Sequence, residues 1–371
     1  MKNIFTILLT IVLSISTLYA KAVPMKEKIG QKIMVGFHGT SPNDPEVKQV
    51  ISLAQKGLIG GVILFAYNIQ SKDQVTTLIK ALKANSKYPL IVSVDQEGGK
   101  VQRLRAKNGF TDYASPNEVA KTMSPEQAKE YYAKMAAELK SVGFNCNFGP
   151  VLDLHCHAET KKTNPVIGAL NRAFDHDTAV VTAFSEAFIS AHNEHGVLTS
   201  LKHYPGHGLA PSDSHKGLVD ITSTHDSTER TPFKNVINNG YNGMVMVAHL
   251  MHRDVDANNP TSLSKVFIKD WLRKEDNFKG VVITDDLHMG AIQSEYGFND
   301  TIINAVDAGV DILMFSNNIA ANQGDKKFTP DANLALKINN VITNAIKSGK
   351  LSESQINDSY NRIMKMKEQI V

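Results

Sequence analysis

Gly196-Val197-Leu198-Thr199-Ser200-Leu201 runs directly into Lys202-His203-Tyr204-Pro205-Gly206-His207-Gly208, and a few residues later comes Asp213-Ser214-His215. The first six residues are apolar or small and carry no charge, so they read as a buried strand. The residues after them have the opposite character. Between Lys202 and Gly217 the chain packs three His, an Asp, three Gly and two Pro. Gly and Pro give the backbone the tight paths such a loop needs. A buried strand that empties into a loop of titratable side chains is how a parallel α/β enzyme displays its chemistry. A His-rich surface loop without a role is the plain alternative, and the rest of the chain decides between them.

Seven other apolar runs share this form: Ile33–Phe37, Gly61–Phe65, Pro89–Asp95, Phe144–Asp153, Gly243–Leu250, Gly280–Asp285 and Ile312–Phe315. Helical patterns lie between them, at Asp44–Gln55, Asp73–Asn85, Pro125–Ser141, Thr178–His195, Glu229–Asn238, Ser264–Arg273 and Asp300–Ala308. Asp331–Lys347 and Ser352–Glu368 read as two closing helices. Pro125 and Asp300 stand where helices begin. Strands alternating with helices imply right-handed crossovers and a parallel sheet. Eight such units predict a single-domain (β/α)8 TIM-like barrel over residues 23–371. A doubly wound open sheet is the alternative, weakened because no Gly-x-Gly-x-x-Gly follows the first strand.

The chain's 371 residues suit one large barrel with insertions. Its hydrophobic content of 42% and charged content of 21% are ordinary globular values. A net charge of +3, without a dense Lys/Arg cluster, gives no sign of nucleic-acid binding. Residues 1–22 differ from the rest: a short basic start, an apolar stretch from Ile4 to Leu18, and small residues at Ala20 and Ala22. They read as a secretory signal peptide, or failing cleavage an N-terminal anchor, and predict an exported, periplasmic or secreted protein. Cys146 and Cys156 are the two cysteines, and an exported protein could pair them or leave them as thiols.

Barrel enzymes build their sites at the C-terminal ends of the strands. The predicted strands end in Asp95-Gln96-Glu97 with Arg103 close behind, in Asp153-Leu154-His155, in Lys202-His203, in His249, and in Asp285-Asp286. Asp285 is the most telling. Gly280-Val281-Val282-Ile283-Thr284 is too apolar to be anything but buried strand, so the carboxylate at its end is either paired or poised for chemistry. Asp286 can serve as the helix cap that would otherwise explain an acid there. Two readings of these residues stand. In one, Asp285 attacks an acetal carbon while His215, its ring oriented by Asp213, exchanges the proton. In the other, His155-Cys156-His157, His203, His249 and Asp285 supply ligands to a zinc ion that activates water.

At these residues the sequence resembles glycoside hydrolase family 3, and within it the single-domain β-N-acetylglucosaminidases of peptidoglycan turnover. The resemblance rests on Asp95-Gln96-Glu97-Gly98-Gly99-Lys100-Val101-Gln102-Arg103, Asn147-Phe148-Gly149-Pro150-Val151-Leu152-Asp153, Lys202-His203-Tyr204-Pro205-Gly206-His207-Gly208 with Asp213-Ser214-His215, and Thr284-Asp285-Asp286. It implies a retaining exo-glycosidase without metal or cofactor, acting on a carbohydrate, with no obligate protein partner. Asp285 would form the glycosyl-enzyme and the Asp213/His215 pair would act as acid and base. Asp95, Arg103, Arg172, Lys202 and His203 would bind the sugar. Arg172-Ala173-Phe174-Asp175 departs from the family's Arg-Ser-Phe-Gly. A β-glucosidase or a phosphorolytic enzyme of the same family, and a sugar-binding protein without catalysis, are the alternatives.

Overall fold

The computed structural model describes residues 22–156, 162–293, 295–318 and 329–370. The leader expected at residues 1–22 therefore lies, apart from residue 22, outside the described residues, as does His157. Eight parallel strands form the central sheet: β1 (Ile33–Gly36), β2 (Gly61–Ile63), β3 (Ile91–Val94), β4 (Cys146–Asn147), β5 (Leu198–Tyr204), β7 (Met244–Val247), β9 (Val281–Thr284) and β10 (Leu313–Phe315). Each pairs with the next, and β10 pairs back onto β1 at Ile33↔Leu313, Met34↔Met314 and Val35↔Phe315. A bridge between Ile283 and Ile312 joins β9 to β10, so the sheet closes into a barrel and the open-sheet alternative falls. The remaining strands, β6 (Val219–Asp220) and β8 (Leu250–Met251), pair with each other beside the barrel mouth.

Strand periodicity explains the two cores. Met34, Ile63, Ile91, Cys146, Leu198, Met244, Met246, Val281, Ile283 and Met314 share one buried cluster. Their neighbours Val35, Val62, Val92, Val94, Val245, Val282 and Phe315 belong to a second cluster with the helices. Alternate side chains thus fill the barrel and face the helical ring, as a period of two requires. Both faces are apolar, which is why these runs carry no polar alternation.

The helices are α1 (Met25–Gln31), α2 (Pro45–Gln55), α3 (Lys72–Lys83), α4 (Pro116–Thr122), α5 (Pro125–Ser141), α6 (Thr178–Glu194), α7 (Thr231–Asn238), α8 (Gly290–Gln293), α9 (Phe298–Ala308), α10 (Leu334–Lys347) and α11 (Glu353–Lys367). The run predicted as a helix at Ser264–Arg273 is a π-wound segment, Val266–Glu275. Ser124 caps α5 in a reciprocal box with Gln127, and Pro125 follows at the first helical position. Ile363 and Met366 of α11 join the interior cluster and plug the barrel's end. Periodicity missed α1, α4 and α8, all too short to show a repeat. It also overextended the fourth strand: Gly149-Pro150 interrupts the ladder because proline has no N–H to give, and pairing resumes at one bridge, Val151↔Lys202. Among the described residues no helix is long and apolar enough to cross a membrane.

Candidate active site

Strand ends and their loops meet at one mouth of the barrel around a cavity of about 490 Å³. All eight residues singled out from the sequence line it: Asp95, Arg103, Arg172, Lys202, His203, Asp213, His215 and Asp285. They come from the ends of β3, β5 and β9 and from the loops following β3, β4 and β5.

The loop after β3 owes its shape to glycine and an amide. Gly98 sits at φ +101, and a Cβ there would stand 2.1 Å from the Ala114 carbonyl oxygen, so no other residue fits the turn. Gln96 staples the loop's two arms: its Oε1 accepts the Arg103 and Leu104 N–H groups, and its Nε2 donates to the Leu104 carbonyl. Asn147 of β4 in turn holds the Gln96 backbone at both its N–H and its C=O. This clasp brings Arg103 beside Asp95, with Nη2 3.3 Å from Oδ2. The Arg103 Nε is buried without a protein partner.

The floor of the cavity is a buried ionic network. Lys202 Nζ lies 2.9 Å from Asp95 Oδ1 and 2.7 Å from Glu97 Oε1. Arg172 donates Nε and Nη2 to the two Glu97 carboxylate oxygens, both at 2.8 Å, and Nη1 to the Val166 carbonyl. Burial works against every one of these charges, but the partners outweigh it. Arg172 and Lys202 hold the Glu97 carboxyl well below the usual carboxylate range, while Asp95 and Glu97 keep Lys202 above its ordinary value. Charge is retained because each buried ion is paired. With two cations and two carboxylates the network is charge-balanced, and it leaves the floor rich in donors and acceptors, the chemistry that hydroxyl-bearing ligands match.

His203 and the following loop hang on a second buried acid, Asp153. Its Oδ2 lies 2.6 Å from His203 Nδ1, and its Oδ1 accepts the backbone N–H groups of His203 and His207. Asp153 thereby turns the far nitrogen of His203 toward Arg172, 3.4 Å away. Beyond it the loop passes Gly206 and Gly208, where a Cβ would strike the Glu229 side chain and the Leu154 backbone at 2.5 and 2.1 Å. Glu229 is buried and accepts the Leu209 N–H. His207 Nε2 lies 3.0 Å from Ser214 Oγ, the residue between Asp213 and His215. Burial and the neighbouring His203 push the His207 imidazole down to about 4, so it stays neutral and serves as a tether. The loop that carries the Asp/His pair is thus anchored at its root and its middle.

Asp213 and His215 form that pair. Asp213 Oδ1 accepts the His215 backbone N–H at 2.9 Å and lies 2.8 Å from His215 Nδ1, leaving Nε2 unclaimed by Asp213. The His215 side chain is 41% exposed, so its ring reaches solvent. Asp285 lines the same cavity. Burial drives its carboxyl upward, but His203, His249, His215 and the Asp286 N–H prevail and hold it at about 2. It is an anion at any ordinary pH. Asp286 accepts the His288 and Ser316 N–H groups and so caps local turns.

The metal reading requires several of these groups to converge. His249 is fully buried and engaged at both ring nitrogens, by Ser262 Oγ and the Asp286 carbonyl. Among the described residues no three His, Cys, Asp or Glu are arranged as a metal's ligands. Cys146 and Cys156 are free and buried. Sequence reasoning missed Glu97, Asp153, Glu229 and Ser214 as parts of the site. Glu97 and Asp153 stand at strand ends within quoted motifs, a signal that could have marked them; Glu229 carried none.

A closed parallel barrel with an ionised carboxylate, an Asp/His pair and an ion-paired polar floor at its C-terminal mouth defines a barrel enzyme for a polar, hydroxyl-rich substrate. The family described as glycosyl hydrolase family 3 N terminal domain matches residues 24–366. Beta-hexosaminidase A of Pseudoalteromonas piscicida is 31% identical over 391 residues, covering 95% of this chain and 62% of that protein. Beta-hexosaminidase of Haemophilus influenzae is 33% identical over 279 residues, 73% of this chain and 76% of its own. The structure of a glycoside hydrolase family 3 β-N-acetylglucosaminidase from Paenibacillus sp. superposes with a TM-score of 0.82 at 30% identity, over 94% of this chain and 63% of that one. The β-N-acetylhexosaminidase of Beutenbergia cavernae gives 0.81 at 25% identity, over 93% and 99%. The chain belongs to glycoside hydrolase family 3.

Proposed function

We propose that this chain is a retaining exo-β-N-acetylhexosaminidase that removes terminal β-linked N-acetylglucosamine. The observation that carries the reading is the convergence on one sugar-sized cavity of Asp285, kept anionic, and the hydrogen-bonded Asp213/His215 pair. The relatives named beta-hexosaminidase add to it. In the first step an Asp285 oxygen bonds to the anomeric carbon and the glycosidic C–O bond breaks. His215, protonated, gives its proton from Nε2 to the departing oxygen and is left neutral. In the second step neutral His215 takes a proton from water, the hydroxide oxygen bonds to the anomeric carbon, and Asp285 leaves. Asp213 holds Nδ1–H throughout and so keeps Nε2 aimed at the reacting oxygen. The pair stands in for the carboxylic acid of most retaining glycosidases. Asp95, Arg103, Arg172, Lys202 and His203 hold the ring of the sugar being transferred.

The test is to trap the intermediate with a 5-fluoro-N-acetylglucosamine reagent and map the labelled peptide by mass spectrometry. Label on Asp285 is expected; a different residue would overturn the assignment. We further propose, from the apolar leader and the resemblance, that the enzyme works outside the inner membrane on peptidoglycan fragments. Cell fractionation that finds the protein in the cytoplasm with its leader intact would refute the location.

A further inference from the structure

The cavity has a charged floor and apolar walls, and the walls have no part in the two displacements at the anomeric carbon. Among the described residues two large hydrophobic side chains are left exposed, Tyr67 and Leu170, each at 36%. Both line this cavity. Tyr67 follows β2 and forms a ledge with two partly buried rings: His38, stacked at 4.6 Å between centroids, and Phe65 at 5.6 Å. Leu170 and Val166 come from the loop after β4, which also supplies Arg172 to the floor. Exposed apolar side chains are ordinary when scattered, but two that gather at one pocket mark a place where something is covered on binding.

We propose that Tyr67, backed by Phe65 and His38, and Leu170 form the subsite for the second pyranose ring of the substrate, the ring that leaves with the proton from His215. This rests on the glycosidase reading and narrows it to substrates whose aglycone is itself a sugar. A pyranose presents hydroxyls around its edge and C–H groups on its faces. The transferred ring meets the ionic floor. A ring nearer the mouth keeps its hydroxyls in water and offers its C–H faces, which aromatic and aliphatic walls cover favourably. A small alkoxide would leave both walls wet.

Purified full-length enzyme decides this. Its kcat/KM is measured on N,N′-diacetylchitobiose and on methyl N-acetyl-β-glucosaminide, for the wild type and for Tyr67→Ala, Tyr67→Phe and Leu170→Ala. The chitobiose-to-methyl ratio is expected to fall about ten-fold for Tyr67→Ala, less for Leu170→Ala, and to hold for Tyr67→Phe. An unchanged ratio in Tyr67→Ala, or an equal loss on both substrates, overturns the subsite. If the wild type cleaves β-glucosides alone, the N-acetylhexosaminidase reading fails, and the same ratio with cellobiose and methyl β-glucoside decides the ledge. A wild type that prefers the methyl glycoside to the disaccharide also overturns it.

Discussion

Replacing Glu97 by Gln tests whether the buried network holds the substrate-binding cations. Glu97 is 2% exposed and accepts three charged hydrogen bonds, two from Arg172 at 2.8 Å and one from Lys202 at 2.7 Å. A glutamine keeps one oxygen but turns an NH2 group toward donors. Breaking a buried pair costs about 3–5 kcal/mol because the surviving charge is left uncompensated. Lys202 retains Asp95, so the lower end, about 3 kcal/mol, applies. A chain of this size loses roughly 0.7 kcal/mol per degree at its midpoint, so Tm should fall by about 4 °C. KM should rise, because Arg172 and Lys202 lose the anchor that sets their positions. The pH dependence carries the sign. Glu97's carboxyl is depressed in the fold, so its stabilisation is complete above the unfolded carboxyl value of about 4.3 and fades as pH falls toward the folded one. The Tm gap between wild type and Glu97→Gln should therefore be constant from pH 7 to 5 and narrow below about pH 4. Thermal unfolding followed by circular dichroism across that range reads it out. A variant with unaltered Tm and KM, or a gap equally wide at pH 3 and pH 7, would refute the reasoning.

His215→Ala should slow poor leaving groups by about 10²–10⁴-fold and activated phenols far less, since a good leaving group needs little protonation; an equal loss on both sinks the acid role. Because Asp285 titrates at about 2, a pH–rate profile between 4 and 8 should show no limb from the nucleophile; an acid limb near 4 that disappears in Asp285→Glu would contradict this. Gly208→Ala places a methyl 2.1 Å from the Leu154 carbonyl and should cost about 1–3 kcal/mol of stability, read as a lower Tm, while lowering kcat by displacing the Asp213/His215 loop. Ser214→Ala, which unties the loop from His207 without a clash, should lower kcat by a smaller factor and, because His207 Nε2 is left buried and unpaired at about 1–3 kcal/mol, lower Tm by about 1–4 °C; unchanged kcat would show that the tether does not position the pair.

Much of this was legible in the residues themselves. A run such as Val281–Thr284 is buried on both faces, so its apolar content alone marks a strand, and a polar residue directly after it marks the mouth of a barrel. All eight strands and the long helices rest on such local periodicity. Asp285, Lys202 and His203 could be found in the same way, as could the Asp213/His215 pair, whose partners are two residues apart.

What the sequence could not determine is which distant residues meet. Glu97 and Arg172 are 75 positions apart, Asp95 and Lys202 are 107, and Asp153 and His203 are 50. Their pairing follows from the register of neighbouring strands and from the closure of β10 onto β1, neither of which leaves a periodic trace. Only the tertiary structure shows that Arg172 and Lys202 share one carboxylate, that His207 ties down the loop carrying His215, and that Tyr67 and Leu170, from two different loops, line the same cavity. The physical reason is that helix and strand period is a property of neighbours in sequence. An ion pair's geometry, and the exposure left at a rim, are properties of neighbours in space.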